Sequence, residues 1–244
     1  MLAACRMPAV TDDPAASGAY PPSVWIAPVG APRAAVVLLH GLDMAPAQLA
    51  PIAASLKLPA VIALPSGPIA REGGGRAWWP VDDAARAARI EAGPADLHDS
   101  HPGGREHARE IVLATAHALR QREPELPLVL AGFSQGAMLA LDAVLQSPPL
   151  AVDALALWSA SRLAFAEWAP ALHRLRGLRV DLVHGRADAN LGIAAGHSLR
   201  EALVDAGARV RWLPFEGGHE IPPQAWLALR RLVREVATPA APAA

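Results

Sequence analysis

The stretch that most constrains this chain is Val129-Leu130-Ala131-Gly132-Phe133-Ser134-Gln135-Gly136, in which an apolar run leads into a Gly-x-Ser-x-Gly pentapeptide. The residues that follow, 137–141, are typical of a helix. A serine on a tight turn between a strand and a helix is strained and exposed. Gly132 and Gly136 lack the Cβ atoms that would collide in such a turn. The stretch therefore predicts that Ser134 is a nucleophile, and the rest of the chain has to supply its partners.

Apolar runs of strand length alternate with helical patterns along the chain. The predicted strands are residues 23–27, 35–39, 60–64, 126–131, 154–158, 180–184 and 209–213. The predicted helices are residues 48–56, 84–92, 106–122, 135–146, 165–175, 192–205 and a last one that Pro222-Pro223 opens. Repeated strand-helix units imply an α/β fold with a mostly parallel central sheet and helices on both faces.

The 244 residues fit a single domain of this class. We predict a loose N-terminal arm over residues 1–22, one α/β domain over 23–236, and a flexible Pro/Ala tail over 237–244. Residues 66–83 form a long irregular stretch with three consecutive glycines and a Trp-Trp-Pro sequence. Long loops in compact domains are usually functional or disordered. The sequence leaves open whether this one acts as a lid.

Net charge, the length of the apolar runs and the cysteine content limit the partners and the location expected for this chain. The formal net charge is −1 and no basic block is present, so nucleic acid is not an expected partner. The longest apolar runs fall short of the roughly 20 residues that a membrane span needs, so we expect no stable membrane insertion. Cys5 is the only cysteine, which excludes an internal disulfide and makes a cytoplasmic location the default expectation.

Two further polar residues follow predicted strands. Asp188 comes shortly after the strand at 180–184, and His219 follows the strand at 209–213. In parallel sheets, ligands bind at the carboxyl ends of the strands. The chain order Ser134, Asp188, His219 is the order that α/β-hydrolases use. An imidazole can take the serine proton, and a carboxylate can fix the imidazole tautomer, so these three residues predict a catalytic triad.

A triad of this kind also needs two backbone N–H groups that stabilise a developing oxyanion. In this fold one N–H comes from the residue after the nucleophile, here Gln135. The other comes from the loop after an early strand, here His40-Gly41-Leu42, and Leu42 is the candidate donor.

Several motifs together resemble the carboxylesterase/phospholipase family, which includes acyl-protein thioesterases and small bacterial carboxylesterases. They are Leu39-His40-Gly41-Leu42, Gly132-Phe133-Ser134-Gln135-Gly136, His184-Gly185 with Asp188, and Gly218-His219. The resemblance runs over roughly residues 34–236. It implies a compact serine hydrolase of small-molecule acyl esters or thioesters that uses neither metal nor cofactor.

The same resemblance offers Trp78 as a possible substrate contact, although a Trp pair is more often packing. The chain departs from the family pattern at four places: Asp43 replaces a usual glycine, and Ala137 replaces the third glycine of the serine turn. Ala189-Asn190-Leu191 lacks the usual proline and valines, and Trp158-Ser159-Ala160-Ser161 replaces a Leu-Ser-Gly turn. In relatives these positions line or adjoin the pocket, so they bear on substrate preference.

Three alternatives stay open. Within the enzyme class, a lysophospholipase or acyl-protein thioesterase competes with a short-chain carboxylesterase. From another chemistry, His98, Asp99, His101 and His107 could form a metal site, with solvated loop histidines as the simpler interpretation. From another class, the fold could belong to a non-enzymatic binding protein, although such proteins usually lose a triad residue.

Overall fold

The computed structural model describes residues 8–12 and 23–238. The strands are β1 (Val10–Asp12), β2 (Val24–Ile26), β3 (Ala34–Leu39), β4 (Ala60–Leu64), β5 (Ile69–Ala70), β6 (Arg76–Ala77), β7 (Leu128–Phe133), β8 (Ala154–Trp158), β9 (Arg179–Gly185) and β10 (Arg209–Phe215). The helices are α1 (Pro46–Ser55), α2 (Asp83–Ala92), α3 (Arg105–Arg122), α4 (Gln135–Leu145), α5 (Phe165–Trp168), α6 (Ile193–Asp205) and α7 (Pro223–Val236). Glu72–Gly74 and Ala169–Leu175 are 3-10 segments.

Eight strands form one sheet in the order β1-β2-β4-β3-β7-β8-β9-β10. The six strands from β4 to β10 in this order are parallel, and β1 and β2 are antiparallel to their neighbours. The chain passes from β3 to β4 on one side and later adds β7 on the other, so the strand order reverses at β3. The crevice at such a reversal is where α/β sheets bind ligands. The carboxyl ends of β3 and β7 border it.

Side chains of the central strands point alternately to two hydrophobic layers. In β3, Val37 and Leu39 pack in the layer beneath α3, α4 and α6, whereas Val36 and Leu38 pack in the layer beneath α1 and α7. Both layers exclude water, which is why the central strands appear in the sequence as continuous apolar runs. The predicted fold class, a mostly parallel sheet with helices on both faces, is confirmed.

Helix α2 differs from the other long helices because none of its residues is buried. Its first turn is capped by Asp82, whose Oδ1 accepts a hydrogen bond of 3.0 Å from the Ala85 N–H. It lies over the carboxyl end of the sheet, where it forms one wall of a cavity described below.

The termini depart from the sequence prediction where the structure describes them. Residues Val10–Asp12, predicted to belong to a loose arm, form β1 and pair with β2. The remaining residues of the arm, Cys5 among them, and residues 239–244 of the predicted tail lie outside the described residues.

Helix α1 begins at Pro46, two residues before the predicted start at residue 48. Pro51 therefore lies inside the helix instead of in its first turn, and it is exposed to solvent.

Residues 66–83 contain the small β5–β6 hairpin and a 3-10 turn, with irregular backbone between them. Among the described helices, none combines the length and the apolar character that a membrane crossing requires.

Candidate active site

Ser134 lies on the turn between β7 and α4 and has a strained backbone with a positive φ of 52° and a ψ of −115°. The turn is tight enough to exclude side chains on both flanking glycines. A Cβ on Gly132 would lie 2.5 Å from the Gly136 carbonyl oxygen, and a Cβ on Gly136 would lie 2.5 Å from the His40 carbonyl oxygen. The Ser134 N–H donates to the Trp158 carbonyl at 2.8 Å, which ties the turn to the end of β8.

The three residues predicted to form a triad are joined by hydrogen bonds. Ser134 Oγ lies 2.8 Å from His219 Nε2, and His219 Nδ1 lies 2.7 Å from Asp188 Oδ2. The other carboxylate oxygen of Asp188 accepts the N–H groups of Asn190 at 2.9 Å and Leu191 at 2.8 Å. Both oxygens of the buried carboxylate are therefore engaged, which fixes the plane of the carboxylate against the imidazole.

Asp188 keeps its negative charge although it is buried. Burial alone raises the pKa of the Asp188 carboxyl, but the hydrogen bond and charge of His219 and the two backbone N–H groups outweigh it, so the pKa lies below its ordinary value. An ionised carboxylate accepts a hydrogen bond and so holds the proton on His219 Nδ1. The Nε2 atom is then free to accept the proton of the Ser134 hydroxyl.

Two turns bring Asp188 and His219 together, one after β9 and one after β10. The Ala187 N–H donates to the Gly217 carbonyl at 2.9 Å, and the Arg186 N–H donates to the Phe215 carbonyl at 2.9 Å. A Cβ on Gly185 would collide with the Gly218 carbonyl oxygen, so this glycine allows the two turns to approach closely.

The buried side chain of His184 stabilises the turn that carries Asp188. Its ring is fully buried, its Nε2–H donates to the Leu191 carbonyl, and its Nδ1 has no hydrogen-bond partner among the described residues. Burial lowers the pKa of His184, which keeps the ring neutral. The sequence contained His184 as part of a motif but gave no signal for this supporting role.

The two predicted oxyanion donors lie at the same cavity as Ser134. Leu42 and Gln135 both line it, and within the described residues neither backbone N–H donates a hydrogen bond. The next amide along the loop, that of Asp43, is already taken by the Arg76 carbonyl at 3.0 Å. Leu42 and Gln135 therefore leave two backbone donors without an acceptor in the described residues, on residues that line the same cavity as Ser134.

The loop that carries Leu42 is held by a buried neutral histidine. His40 Nδ1–H donates to the Gly41 carbonyl at 2.8 Å, and the Gly67 N–H donates to His40 Nε2 at 2.9 Å. Each ring nitrogen thus has one partner, which requires the neutral ring. Burial is the main reason that the pKa of His40 falls to about 4.

Trp78 does not occupy the position predicted for a substrate contact. Its side chain is fully buried, stacks on His40 with ring centroids 4.8 Å apart, and donates from Nε1 to the His40 carbonyl at 2.8 Å. The neighbouring Trp79 lines the cavity instead. The Gln135 side chain holds both: its Oε1 accepts the Trp78 N–H at 2.9 Å, and its Nε2 donates to the Trp79 carbonyl at 3.3 Å.

The cavity beside Ser134 has a volume of about 300 Å³. Much of its wall is apolar, with Trp79, Leu97 and Met138 among the lining residues. Helix α2 adds two guanidinium groups, those of Arg86 and Arg89. Arg89 spans to the Asp188 turn, where it donates to the Asn190 carbonyl at 2.9 Å and to Asn190 Oδ1 at 2.6 Å. Neither arginine carries a signal in the sequence that would assign it to the site.

The histidines considered as metal ligands do not share a common partner. His98 pairs with Asp99 at 2.9 Å, His101 with Glu167 at 2.7 Å, and His107 with Glu110 at 3.2 Å. Across residues 8–12 and 23–238, no group of three or more histidine, cysteine or acidic side chains is placed to hold a metal ion.

Comparison with known proteins gives a family match over nearly the whole chain. The family described as phospholipase/carboxylesterase matches residues 22–235. The chain belongs to the phospholipase/carboxylesterase family. This membership makes the protein a hydrolase of the esterase and thioesterase type. No curated protein matches the sequence.

Solved structures of esterases and of an acyl-protein thioesterase have a similar fold. Esterase PE8 has 26% sequence identity and a TM-score of 0.67, with 89% of this chain and 98% of that chain covered. Acyl-protein thioesterase 2 of Zea mays has 21% identity and a TM-score of 0.68, covering 88% and 99%. A carboxylesterase from Mesorhizobium loti has 20% identity and a TM-score of 0.65, covering 87% and 94%. The last two likenesses show the α/β-hydrolase fold alone.

Two departures from the phospholipase/carboxylesterase pattern have a structural counterpart. Asp43, at a position where relatives usually have glycine, has a positive φ of 61°, and its carboxylate accepts a hydrogen bond of 2.7 Å from Arg71. Asn190, in the segment without the usual proline and valines, is the residue that Arg89 binds. Asp43 thus joins its loop to the 66–83 segment, and Asn190 joins the Asp188 turn to α2.

Proposed function

We propose that the protein is a serine hydrolase that cleaves carboxylic acyl esters through an acyl-enzyme on Ser134. The observation that carries the proposal is the continuous hydrogen-bonded chain from Ser134 Oγ through His219 to the ionised Asp188, beside a cavity. The 26% identity to esterase PE8 over 89% of the chain supports an ester substrate.

In the first half of the reaction, Ser134 Oγ attacks the acyl carbon while its proton passes to His219 Nε2. The carbonyl oxygen becomes an oxyanion that accepts hydrogen bonds from the Leu42 and Gln135 N–H groups. When the tetrahedral intermediate collapses, the bond to the leaving oxygen breaks and that oxygen takes the proton from His219. The products are an alcohol and an acyl-Ser134 ester.

In the second half, a water molecule repeats the attack on the acyl carbon. His219 takes the water proton, a second tetrahedral intermediate forms, and its collapse breaks the bond to Ser134 Oγ. The serine oxygen recovers the proton from His219, and the carboxylic acid leaves. Asp188 keeps the imidazole oriented throughout and stabilises its charged form. No cofactor takes part in either half.

The runner-up is a lysophospholipase or an acyl-protein thioesterase. A lysophospholipid or a thioester presents the same acyl carbonyl to Ser134, and the family description includes phospholipases. The two proposals share the acyl-enzyme and differ in the acyl chain and leaving group. Either substrate is a small molecule or an acyl group on a carrier. We also propose that the protein acts in the cytoplasm.

The test is covalent labelling with a fluorophosphonate, followed by hydrolysis of nitrophenyl esters of increasing chain length. Ser134→Ala should abolish labelling and lower kcat by about a millionfold, since removal of a triad nucleophile alone costs on that order. The control variant is Ser55→Ala, an exposed serine at the end of α1 whose hydroxyl donates to the Ile52 carbonyl. Labelling and turnover that survive Ser134→Ala would refute the mechanism.

The chain-length profile and the leaving group decide between the two proposals. A maximum at short chains supports a carboxylesterase, whereas a maximum at long chains, with turnover of lysophospholipids or acyl thioesters, supports the runner-up. An intact protein that neither reacts with the fluorophosphonate nor hydrolyses any ester would favour the non-enzymatic alternative.

A further inference from the structure

Two guanidinium groups line the cavity beside Ser134, and that of Arg86 has no hydrogen-bonded carboxylate among the described residues. Arg86 and Arg89 lie three residues apart on α2, a spacing that places both side chains on the same face of a helix. Both line the cavity, together with Ser134 and the two candidate oxyanion donors, Leu42 and Gln135. A substrate bound at the serine therefore lies in the same cavity as two guanidinium groups.

The partners of Arg89 are neutral. Its two terminal nitrogens donate to the backbone carbonyl and to the side-chain oxygen of Asn190. Burial is the main cause that lowers the pKa of Arg89, the positive charge of Arg86 lowers it further, and the negative charge of Asp188, which is not hydrogen-bonded to Arg89, raises it. Two nearby cations that raise each other's energy are stabilised by an anion between or beside them.

Arg86 is half-buried, and its guanidinium makes no hydrogen bond or salt bridge to any residue in the described ranges. The neighbouring carboxylate of Asp83 bonds Arg71 at 2.6 Å, and that hydrogen bond is the first cause of its lowered pKa, with Arg86 a minor one. Asp82, an exposed carboxylate that lines the cavity, caps the helix through the Ala85 N–H. Asp82 and the ionised Asp188 offset part of the charge of the two guanidinium groups, and no carboxylate among the described residues hydrogen-bonds Arg86.

We infer that this cavity selects substrates that carry a negatively charged group, such as a carboxylate, on the portion that occupies it, with Arg86 as the binding residue. A guanidinium pairs with a carboxylate through two parallel N–H donors, which gives both affinity and orientation. The apolar wall of Trp79, Leu97 and Met138 accommodates the methylene segment between that anion and the ester. A volume of about 300 Å³ is at the lower end of small-molecule pockets and fits a short chain.

The inference rests on the proposed function, because it names the class of ester that Ser134 receives. The anion can sit on the acyl side, as in a half-ester of a dicarboxylic acid, or on the alcohol side, as in an ester of a hydroxy acid. Both sources present the same charge to Arg86, and a substrate panel distinguishes them.

The experiment compares esters that differ only in charge. On the acyl side, 4-nitrophenyl hydrogen glutarate is measured against 4-nitrophenyl valerate, after subtraction of spontaneous hydrolysis. On the alcohol side, carboxymethyl valerate is measured against propyl valerate. The readout is the ratio of kcat/KM for the anionic ester to that for the neutral ester.

Arg86→Gln should lower this ratio roughly 10- to 100-fold on one of the two sides, because a hydrogen bond to a charged group typically contributes a factor of that size. Arg86→Lys should restore part of it, since lysine keeps the charge and loses the paired geometry. The control Arg200→Gln, on α6, should leave the ratio unchanged. The preference of the unmodified protein should also weaken at high salt, because the rim of the cavity is open to ions.

Failure of the inference is distinct from failure of the proposed function. If Ser134-dependent hydrolysis is present and the ratio is the same in the unmodified protein and Arg86→Gln on both sides, the anion site is refuted and the esterase remains. If no ester is hydrolysed, calorimetric titration with glutarate still tests the site. Binding that Arg86→Gln weakens at least tenfold supports it, and equal or absent binding refutes it.

Discussion

His40 is a titratable side chain that the fold keeps neutral. Both ring nitrogens are used, one by the Gly41 carbonyl and one by the Gly67 N–H, and the ring is almost completely buried. A proton on Nε2 would break the bond from Gly67 and place a charge inside the protein. Since the same ring supports the loop that carries Leu42, protonation of His40 acts on the site as well as on stability.

We predict that acid destabilises the protein through His40. The pKa of His40 is lowered to about 4, so between its ordinary value near 6.5 and pH 4 the unfolded chain binds a proton that the folded chain does not. Stability from this group is complete above pH 6.5 and declines as the pH falls, by about 3 kcal/mol at pH 4. The buried His184 changes stability in the same direction.

The measurement is urea unfolding of the unmodified protein and His40→Gln at pH 7 and at pH 5. Glutamine can keep one hydrogen bond but cannot be protonated, so the variant should be less stable at pH 7 and should lose less stability on acidification. A difference between the two proteins that stays constant with pH would show that His40 is protonated equally in the folded and unfolded states.

The sequence predicts a triad of Ser134, Asp188 and His219 because each lies just beyond a strand and carries a chemistry that the other two complete. It does not distinguish Trp78 from Trp79, because the two tryptophans are adjacent and the apolar pattern of the loop is too short to show which side chain faces the core. The structure buries Trp78 and turns Trp79 to the cavity.

At the scale of secondary structure, a buried carboxylate joins three helices. Asp142 of α4 has no exposed side-chain surface, and its two oxygens accept hydrogen bonds from three donors. Arg105 of α3 donates at 3.0 Å, Arg109 of α3 at 2.6 Å, and the Trp168 Nε1–H of α5 at 2.7 Å. These contacts fix α4, the helix that begins beside Ser134, against its neighbours.

We expect Asp142→Ala to lower the free energy of unfolding by about 3 to 5 kcal/mol, because it removes the buried carboxylate that pairs with Arg109 and leaves the buried Arg105 with Glu167 as its one remaining carboxylate partner among the described residues. Asp142→Asn keeps an acceptor for Trp168 and Arg105 and should cost less. Chemical denaturation measures both variants. The control is Asp99→Ala, whose carboxylate is 89% exposed and should matter by less than about 0.5 kcal/mol. Equal losses for Asp142→Ala and Asp99→Ala would contradict the argument.

The elements that the sequence predicts well are those with a long apolar signature. The sequence predicts a helix over residues 106–122, and α3 is Arg105–Arg122. The central strands likewise lie where the sequence has its apolar runs. Strand β1 was missed because its three residues carry no repeating pattern and gain their structure only by pairing with β2. Its existence is a property of the sheet edge, which the local sequence does not encode.

At the scale of the whole molecule, the site depends on which strands become neighbours. Ser134, Asp188 and His219 come from strand ends that lie far apart along the chain, and the parallel order of β7, β8, β9 and β10 places those ends at one edge. The sequence predicts that the ends face the same way. It does not predict that α2 forms one wall of the cavity. The contact between Arg89 and Asn190 joins residues 101 positions apart in the chain, and no local sequence pattern indicates it.

The opposite edge of the sheet offers a test of how separate stability and activity are. Two strands, β2 and β4, lie between β1 and β3 in the sheet. Deletion of residues 1–12 removes β1 and the hydrogen bond from the Ala27 N–H to the Ala9 carbonyl, which is 3.0 Å long. We expect stability to fall by about 1 kcal/mol per lost bond, with ester hydrolysis per molecule retained.

Hydrogen exchange measures this directly. The Ala27 amide should exchange faster in the shortened protein, whereas the amides of β7 in the centre of the sheet should keep their protection. Faster exchange throughout β7, or loss of hydrolysis, would show that the edge strand is coupled to the site.

Helix α2 lines the cavity without contributing buried residues to the hydrophobic core. None of its residues is buried, and yet it supplies one wall of the cavity, including Arg86 and Arg89. Substitutions on its cavity face change no hydrophobic core, so their cost in stability is small. The same scaffold can therefore acquire a new substrate by point mutation of α2 while the hydrolytic machinery stays intact, which makes this helix the natural target for directed evolution of specificity.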